Sequence, residues 1–171
     1  MKLAVFDQVM PLQKLEKLNE VLPKVGFTHY SVPKDKMPSV FFPLIDNVSK
    51  FLDISSYTNA EIWGHVRPNT QWHFDIDEHL YQFHSKKRYP LASIVFYSYV
   101  YQLVGGELYL KEGLRVCPVM NRQVIFSPKV FHKVNEFYGK RYSVLLNLWD
   151  EPAPILEELR GDLLDSFSKI T

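Results

Sequence analysis

The side chains of this chain with the most chemistry to offer fall in two stretches: His73-Phe74-Asp75, and His132 within Val130-Phe131-His132-Lys133-Val134. On an extended backbone, residues two apart project to the same face, so positions 73 and 75 set an imidazole beside a carboxylate. Asp77 would join that face if the extended stretch ran on. Two imidazoles and one carboxylate on one side of a metal suit a divalent iron and leave three positions open. Open positions are what oxygen-activating chemistry needs, because cosubstrate and oxygen must both reach the metal. A closed structural zinc site would require a fourth protein ligand, and His65, His79 and His84 show no comparable pattern. Shortly after His132 comes Arg141-Tyr142-Ser143. Strand alternation turns Arg141 and Ser143 inward together, and a guanidinium with a hydroxyl beside it is a forked receptor for a carboxylate. A buried arginine calls for an anionic partner, which a ligand carboxylate would supply.

These residues must be positioned by strands. Glu61 to Arg67 alternates apolar and polar, as a half-buried strand does. Gln71 to Asp75 reads as a second short strand and Leu91 to Leu103, rich in Val, Ile, Phe and Tyr, as a long one broken by Gly105-Gly106. Glu107 to Lys111, Leu114 to Val119, Gln123 to Phe126, Val130 to Val134 and Arg141 to Trp149 follow, with turn signals between them. Short strands at this spacing point to a sandwich or jelly roll. Leu12, Leu15, Leu18 and Leu22 predict an amphipathic helix that Pro23 would end. Ile45 to Leu52 reads as a second short helix, residues 27–43 as loop with room for one short strand, and Leu156, Leu159, Leu163 and Phe167 as a last helix. The expected plan is a single domain over 1–171: N-terminal helical support in 1–59, a jelly-roll core in 60–150 and a C-terminal helix in 151–171, with helices packed on one sheet.

Composition removes other classes. Hydrophobic residues make up 46% of the 171 positions, which is a globular chain and not a disordered one. Twenty Lys and Arg against 19 Asp and Glu leave a formal charge of +1, without the basic footprint that holds a nucleic-acid backbone. A lone cysteine, Cys117, excludes an internal disulfide framework and an all-cysteine zinc site. The apolar run at Leu3 to Phe6 is too short for a signal peptide, and no stretch approaches the ~20 apolar residues that span a bilayer. The expectation is a cytoplasmic protein that binds neither nucleic acid nor membrane.

Taken in order, His73-x-Asp75, Gly105-Gly106-Glu107-Leu108, Ile125-Phe126-Ser127, His132-Lys133-Val134 and Gly139-Lys140-Arg141-Tyr142-Ser143 resemble the iron(II)- and 2-oxoglutarate-dependent oxygenases, in their prolyl 4-hydroxylase-like branch. The resemblance covers roughly residues 60–150. It implies a mainly β fold with flanking α-helices around a double-stranded β-helix (jelly roll, cupin-like) core. It implies that His73, Asp75 and His132 hold iron, and that Arg141 binds the far carboxylate of 2-oxoglutarate with Ser143 assisting. Tyr97 matches a position where the family often places a tyrosine that touches the cosubstrate; a plain core aromatic is the alternative. Asn147 faces inward where many prolyl hydroxylases carry a bulky residue, and segment 76–90 corresponds to a loop that covers the substrate. The implied activity is hydroxylation of a C–H bond, foremost of a prolyl residue in a peptide or protein, with release of succinate and carbon dioxide. Iron(II), 2-oxoglutarate, molecular oxygen and ascorbate as reductant are the implied cofactors. A free amino acid or other small molecule is the alternative substrate, and a non-catalytic jelly-roll binding or scaffold module the alternative function. The last helix is a candidate surface for self-association.

Overall fold

The structure is a computed structural model and describes residues 3–65, 69–152 and 156–171. In chain order its elements are β1 (Leu3–Asp7), α1 (Leu12–Val25), β2 (Tyr30–Pro33), α2 (Phe42–Ser49), β3 (Asn59–His65), α3 (Glu78–His84), β4 (Ala92–Gly105), β5 (Leu108–Leu110), β6 (Arg115–Val116), β7 (Arg122–Phe126), β8 (His132–Val134), β9 (Phe137–Trp149), β10 (Glu157–Glu158) and α4 (Gly161–Ser168). Two sheets result, one in the order β1-β7-β4-β9-β3-β2-β10 and a smaller one in the order β6-β5-β8. The fold is mainly β with flanking helices around a jelly-roll core, as expected.

Period-two alternation on the central strands decides which side chains meet which layer. Ile94 and Phe96 of β4, Ile125 of β7, and Val144, Leu146 and Leu148 of β9 point to the outer face of the large sheet and are buried. There they meet Leu15, Leu18 and Leu22 of α1, Leu44 and Val48 of α2, and Leu163 and Phe167 of α4. The intervening residues face the small sheet. Val95, Tyr97, Val124 and Phe126 close on Leu108, Leu110, Val116 and Val134 in a second buried cluster between the sheets. Each such aliphatic burial contributes about 1.5–3 kcal/mol, and the inward row of β9 contains polar members, Arg141, Ser143 and Asn147, all buried.

Several local expectations change. Segment 71–75 is not a strand: among the described residues its one ladder contact is a single antiparallel bridge from His73 to His132. Pro23 lies inside α1, which runs on to Val25. Burial of Val21, Leu22 and Val25 outweighs the one backbone bond that a last-turn proline forfeits. The second helix starts three residues early, at Phe42. The residues before it supply β2, which pairs with β3, and Leu3–Asp7 pairs with β7, so the first 59 residues add two strands to the large sheet as well as helices. β4 continues through Gly105 and β9 begins at Phe137, so Gly139-Lys140 lies within a strand. A bulge between Tyr97 and Tyr99 breaks the alternation that would have put Tyr97, Tyr99 and Tyr101 on one face; Tyr97 is buried and Tyr101 exposed. Leu156 and Leu159 precede the last helix, and Glu157–Glu158 instead pairs in parallel with β2. The apolar residues of α4 are spent within the chain, with the Phe167 ring 5.1 Å from that of Phe41. Val66 and Arg67, the expected end of the first core strand, lie outside the described residues. Among those described, no helix is long and apolar enough to cross a membrane.

Candidate metal centre and its cleft

The two ligand stretches are stitched together by backbone. His73 N–H donates to His132 O and His132 N–H to His73 O, each at 2.9 Å. One step further along, Thr70 N–H donates to Val134 O at 3.0 Å and Val134 N–H to Thr70 Oγ1 at 2.8 Å. Segment 70–73 thus lies along the free edge of β8, and that contact, with no strand of its own, brings residue 73 to residue 132. The result is a triad: His73 Nε2 lies 3.8 Å and His132 Nε2 3.7 Å from Asp75 Oδ1. One ligand atom of each residue lies within 4.8 Å of the others.

The donor set fits a metal ion. His73 Nδ1 lies 2.7 Å from Gln71 O and His132 Nδ1 3.0 Å from Val130 O. A carbonyl only accepts, so each Nδ1 carries a hydrogen, and it is each Nε2 that faces Asp75. Burial lowers the pKa of His132, against the nearby Asp75 carboxylate, which raises it, while His73 lowers it further. A neutral imidazole is the form that ligates. Asp77 does not join them. It is buried, its Oδ1 accepts from Leu80 N–H at 2.9 Å as the N-cap of α3, and its Oδ2 pairs with Arg88 Nη2 at 2.9 Å.

A second polar cluster lies between the sheets. Tyr97 of β4 and Ser143 of β9 are directly paired in register, with Arg141 two residues before Ser143. Tyr97 Oη and Ser143 Oγ are buried and make no hydrogen bond among the described residues. Arg141 Nη1 donates to Gly106 O at 3.0 Å, and the guanidinium carbon lies 4.4 Å from the Phe137 ring centre and 5.9 Å from that of Tyr97. Gly106 permits this approach: at φ +79° a Cβ there would stand 3.3 Å from Arg141 Nη1 and 3.2 Å from Phe137 Cβ. Burial lowers the Arg141 pKa, and burial pushes that of the Tyr97 phenol up to about 12, so Tyr97 remains a proton donor at neutral pH. A cation and two hydroxyls sequestered in this way are groups that could receive an anion. Phe126, which shares the buried cluster between the sheets with Tyr97, stands 4.8 Å edge-on to the His132 ring.

Beside the triad opens a cleft of about 500 Å³, lined by His73 and Asp75, by Trp63 and Phe74, and by Glu61 and Asn147. The last pair was not anticipated as such. Glu61 and Asn147 are cross-strand partners of β3 and β9. Glu61 Oε2 accepts from Asn147 Nδ2 at 3.3 Å and from Trp149 Nε1 at 3.1 Å, while Oε1 takes His29 Nδ1 at 2.7 Å. The His29 ring is stacked on Trp63 at 4.4 Å. The sequence signal was available: by alternation Glu61 is a charged residue on the inner face of a strand whose next residue, Ile62, is core. Trp72 is stacked with Phe131 at 5.6 Å, on the far side of the metal motif. Segment 76–90 holds α3 and is closed at its base by the Asp77–Arg88 pair and by Asp77 N–H donating to Arg88 O at 2.9 Å. Ile76, Asp77 and Glu78 contribute to the cleft wall, while Arg88 lies over the Trp149 ring at 5.1 Å.

No protein-family model matches this sequence, and no curated protein matches it. Solved structures do. A Pseudomonas putida prolyl-4-hydroxylase superposes with a TM-score of 0.64 at 16% identity, over 88% of this chain and 94% of that one. This chain has the prolyl-hydroxylase fold. A Trichoplax adhaerens prolyl hydroxylase, solved with a peptide fragment of the hypoxia inducible factor oxygen degradation domain, gives a TM-score of 0.58 at 12% identity, covering 87% of this chain and 84% of that. A Burkholderia pseudomallei oxidoreductase of the 2OG-Fe(II) oxygenase family gives 0.59 at 10% identity, covering 92% and 89%.

Proposed function

We propose that this protein is an iron(II)- and 2-oxoglutarate-dependent dioxygenase that hydroxylates a C–H bond of a prolyl residue in a peptide or protein. The observation that carries the reading is a convergent His–Asp–His cluster, together with a buried arginine–serine–tyrosine group, on a fold shared with such oxygenases. His73 Nε2, Asp75 Oδ1 and His132 Nε2 would hold the iron. Arg141 would pair with the far carboxylate of 2-oxoglutarate, and Ser143 Oγ and Tyr97 Oη would donate to it. Iron with 2-oxoglutarate supplies the oxidising power that puts one atom of O2 into the substrate and leaves succinate and carbon dioxide. The chain's own work is positional. It fixes the two imidazole tautomers, keeps the cosubstrate end of the site dry between the sheets, and presents the substrate through the cleft, with segment 76–90 as its cover.

The test supplies the purified protein with iron(II), 2-oxoglutarate, ascorbate and a panel of prolyl peptides. Succinate formation and a +16 Da peptide are expected, both lost in Asp75→Ala. Succinate formation undiminished in Asp75→Ala would refute the ligand assignment, and a product confined to a non-prolyl substrate would correct the substrate.

A further inference from the structure

Five carboxylates line the cleft; Glu78 and Glu157 are exposed residues, and the other three are not alike. Asp75 faces two imidazoles, and Asp77 is neutralised by Arg88 at 2.9 Å. Glu61 is held by two neutral donors, Asn147 and Trp149, and by the ring N–H of His29. Its side chain is 11% exposed and lines the cleft. Among the described residues, no Lys or Arg lines this cavity. The His29 imidazole at 2.7 Å is its one ion-pair partner among the described residues, and no guanidinium or ammonium faces it. Phe27, Trp63, Phe74 and Trp149 supply aromatic faces to the surrounding wall. Aromatic faces favour an aliphatic stem that ends in a cation. The carboxylate is also rigidly placed, because it sits on a central strand and its hydrogen-bond partners come from the paired strand and from a histidine fixed by stacking.

We propose that Glu61 is the recognition point for a cationic nitrogen of the substrate, a lysyl or arginyl side chain laid along the aromatic wall. This rests on the reading of the cleft as the substrate site, and it narrows the substrate to a peptide with a basic residue beside the hydroxylated prolyl residue. Asn147 and Trp149 act as positioning residues that hold the carboxylate in place.

The test compares capped probes that differ only in side-chain charge: Nα-acetyl-lysine amide, Nα-acetyl-arginine amide and Nα-acetyl-norleucine amide, titrated into the full chain and followed by NMR. The lysine or arginine probe is expected to bind at least about tenfold more tightly than norleucine, and this preference should fall to near one in Glu61→Gln. Glu61→Asp, which keeps the charge, should retain part of it. Equal binding of charged and neutral probes by the wild-type chain overturns the proposal whether or not the variants fold, as does a preference unchanged in Glu61→Gln. Succinate formation from 2-oxoglutarate is followed in parallel. A lysine preference without turnover would overturn the oxygenase reading and leave the cation subsite standing; turnover without the preference would do the reverse.

Discussion

Asp77 sits two residues beyond Asp75, the proposed ligand, and its removal should loosen the segment that walls the cleft. Asp77 is 3% exposed and its two oxygens have separate tasks, Oδ1 capping α3 at Leu80 N–H and Oδ2 holding Arg88. Loss of an aspartate N-cap costs about 1 kcal/mol, and a hydrogen bond to a charged group contributes about 1.5–3 kcal/mol. Arg88 is itself 24% exposed and keeps Pro152 O at 3.3 Å and Glu151 at 3.6 Å, so part of its solvation survives. The sum for Asp77→Ala is therefore about 2–3 kcal/mol. Because the segment is bounded at its base by this pair, the loss should appear as local opening. Hydrogen exchange at the amides of Tyr81 and Ser85, which bond to Asp77 O and Tyr81 O, should accelerate roughly 30- to 150-fold. Asp77→Asn keeps an acceptor for Leu80 N–H and should lose only about 1–2 kcal/mol. Exchange in Asp77→Ala within threefold of wild type would refute the assignment of the pair as the clasp of this segment.

Tyr97→Phe removes a buried hydroxyl with no partner among the described residues. It should stabilise the ligand-free protein by about 0.5–1 kcal/mol in thermal unfolding while weakening 2-oxoglutarate binding by calorimetry. Gly106→Ala adds a Cβ against Arg141 and Phe137 at a φ of +79°, and should destabilise by about 1–3 kcal/mol with weaker 2-oxoglutarate binding, read by the same two methods. Hydrogen bonds from Arg122 Nε at 2.6 Å and Nη2 at 2.8 Å hold the Asp7 carboxyl below its ordinary range, slight burial opposes them and the Arg122 charge adds to them. A carboxyl depressed on folding stabilises above its unfolded pKa of about 3.9 and loses that contribution as pH falls through the folded value. As Asp7 is 53% exposed, Asp7→Asn should cost under about 1 kcal/mol at pH 7, and urea unfolding should show the difference vanish as pH falls below about 4.

The site was legible where a short-range rule fixed direction. Period-two alternation along β9 gave the inward row Arg141, Ser143, Asn147, and these residues are buried. The approach of His73 to His132 is different in kind. Residues 71–75 lack the ladder that a strand requires, and two reciprocal bonds to β8 supply the extended geometry from outside. Helix α3 hid in a polar segment because it buries no side chain. Its signals were its ends: an Asp77 N-cap and a left-handed Ser85, at φ 54°, closing on Tyr81 O. β1 and β10 are edge elements whose existence depends on partners far along the chain. The Glu61 cluster needed His29 and Trp149, 32 residues before and 88 residues after it, and no local pattern joins those positions.

The most direct measurement is a crystal structure of the chain grown with manganese(II), a redox-silent stand-in for iron, with anomalous data to locate the ion. The account predicts one strong peak bonded to Nε2 of His73, a carboxylate oxygen of Asp75 and Nε2 of His132. A peak bound elsewhere, or a His132 ring rotated out of reach of the other two, would contradict it.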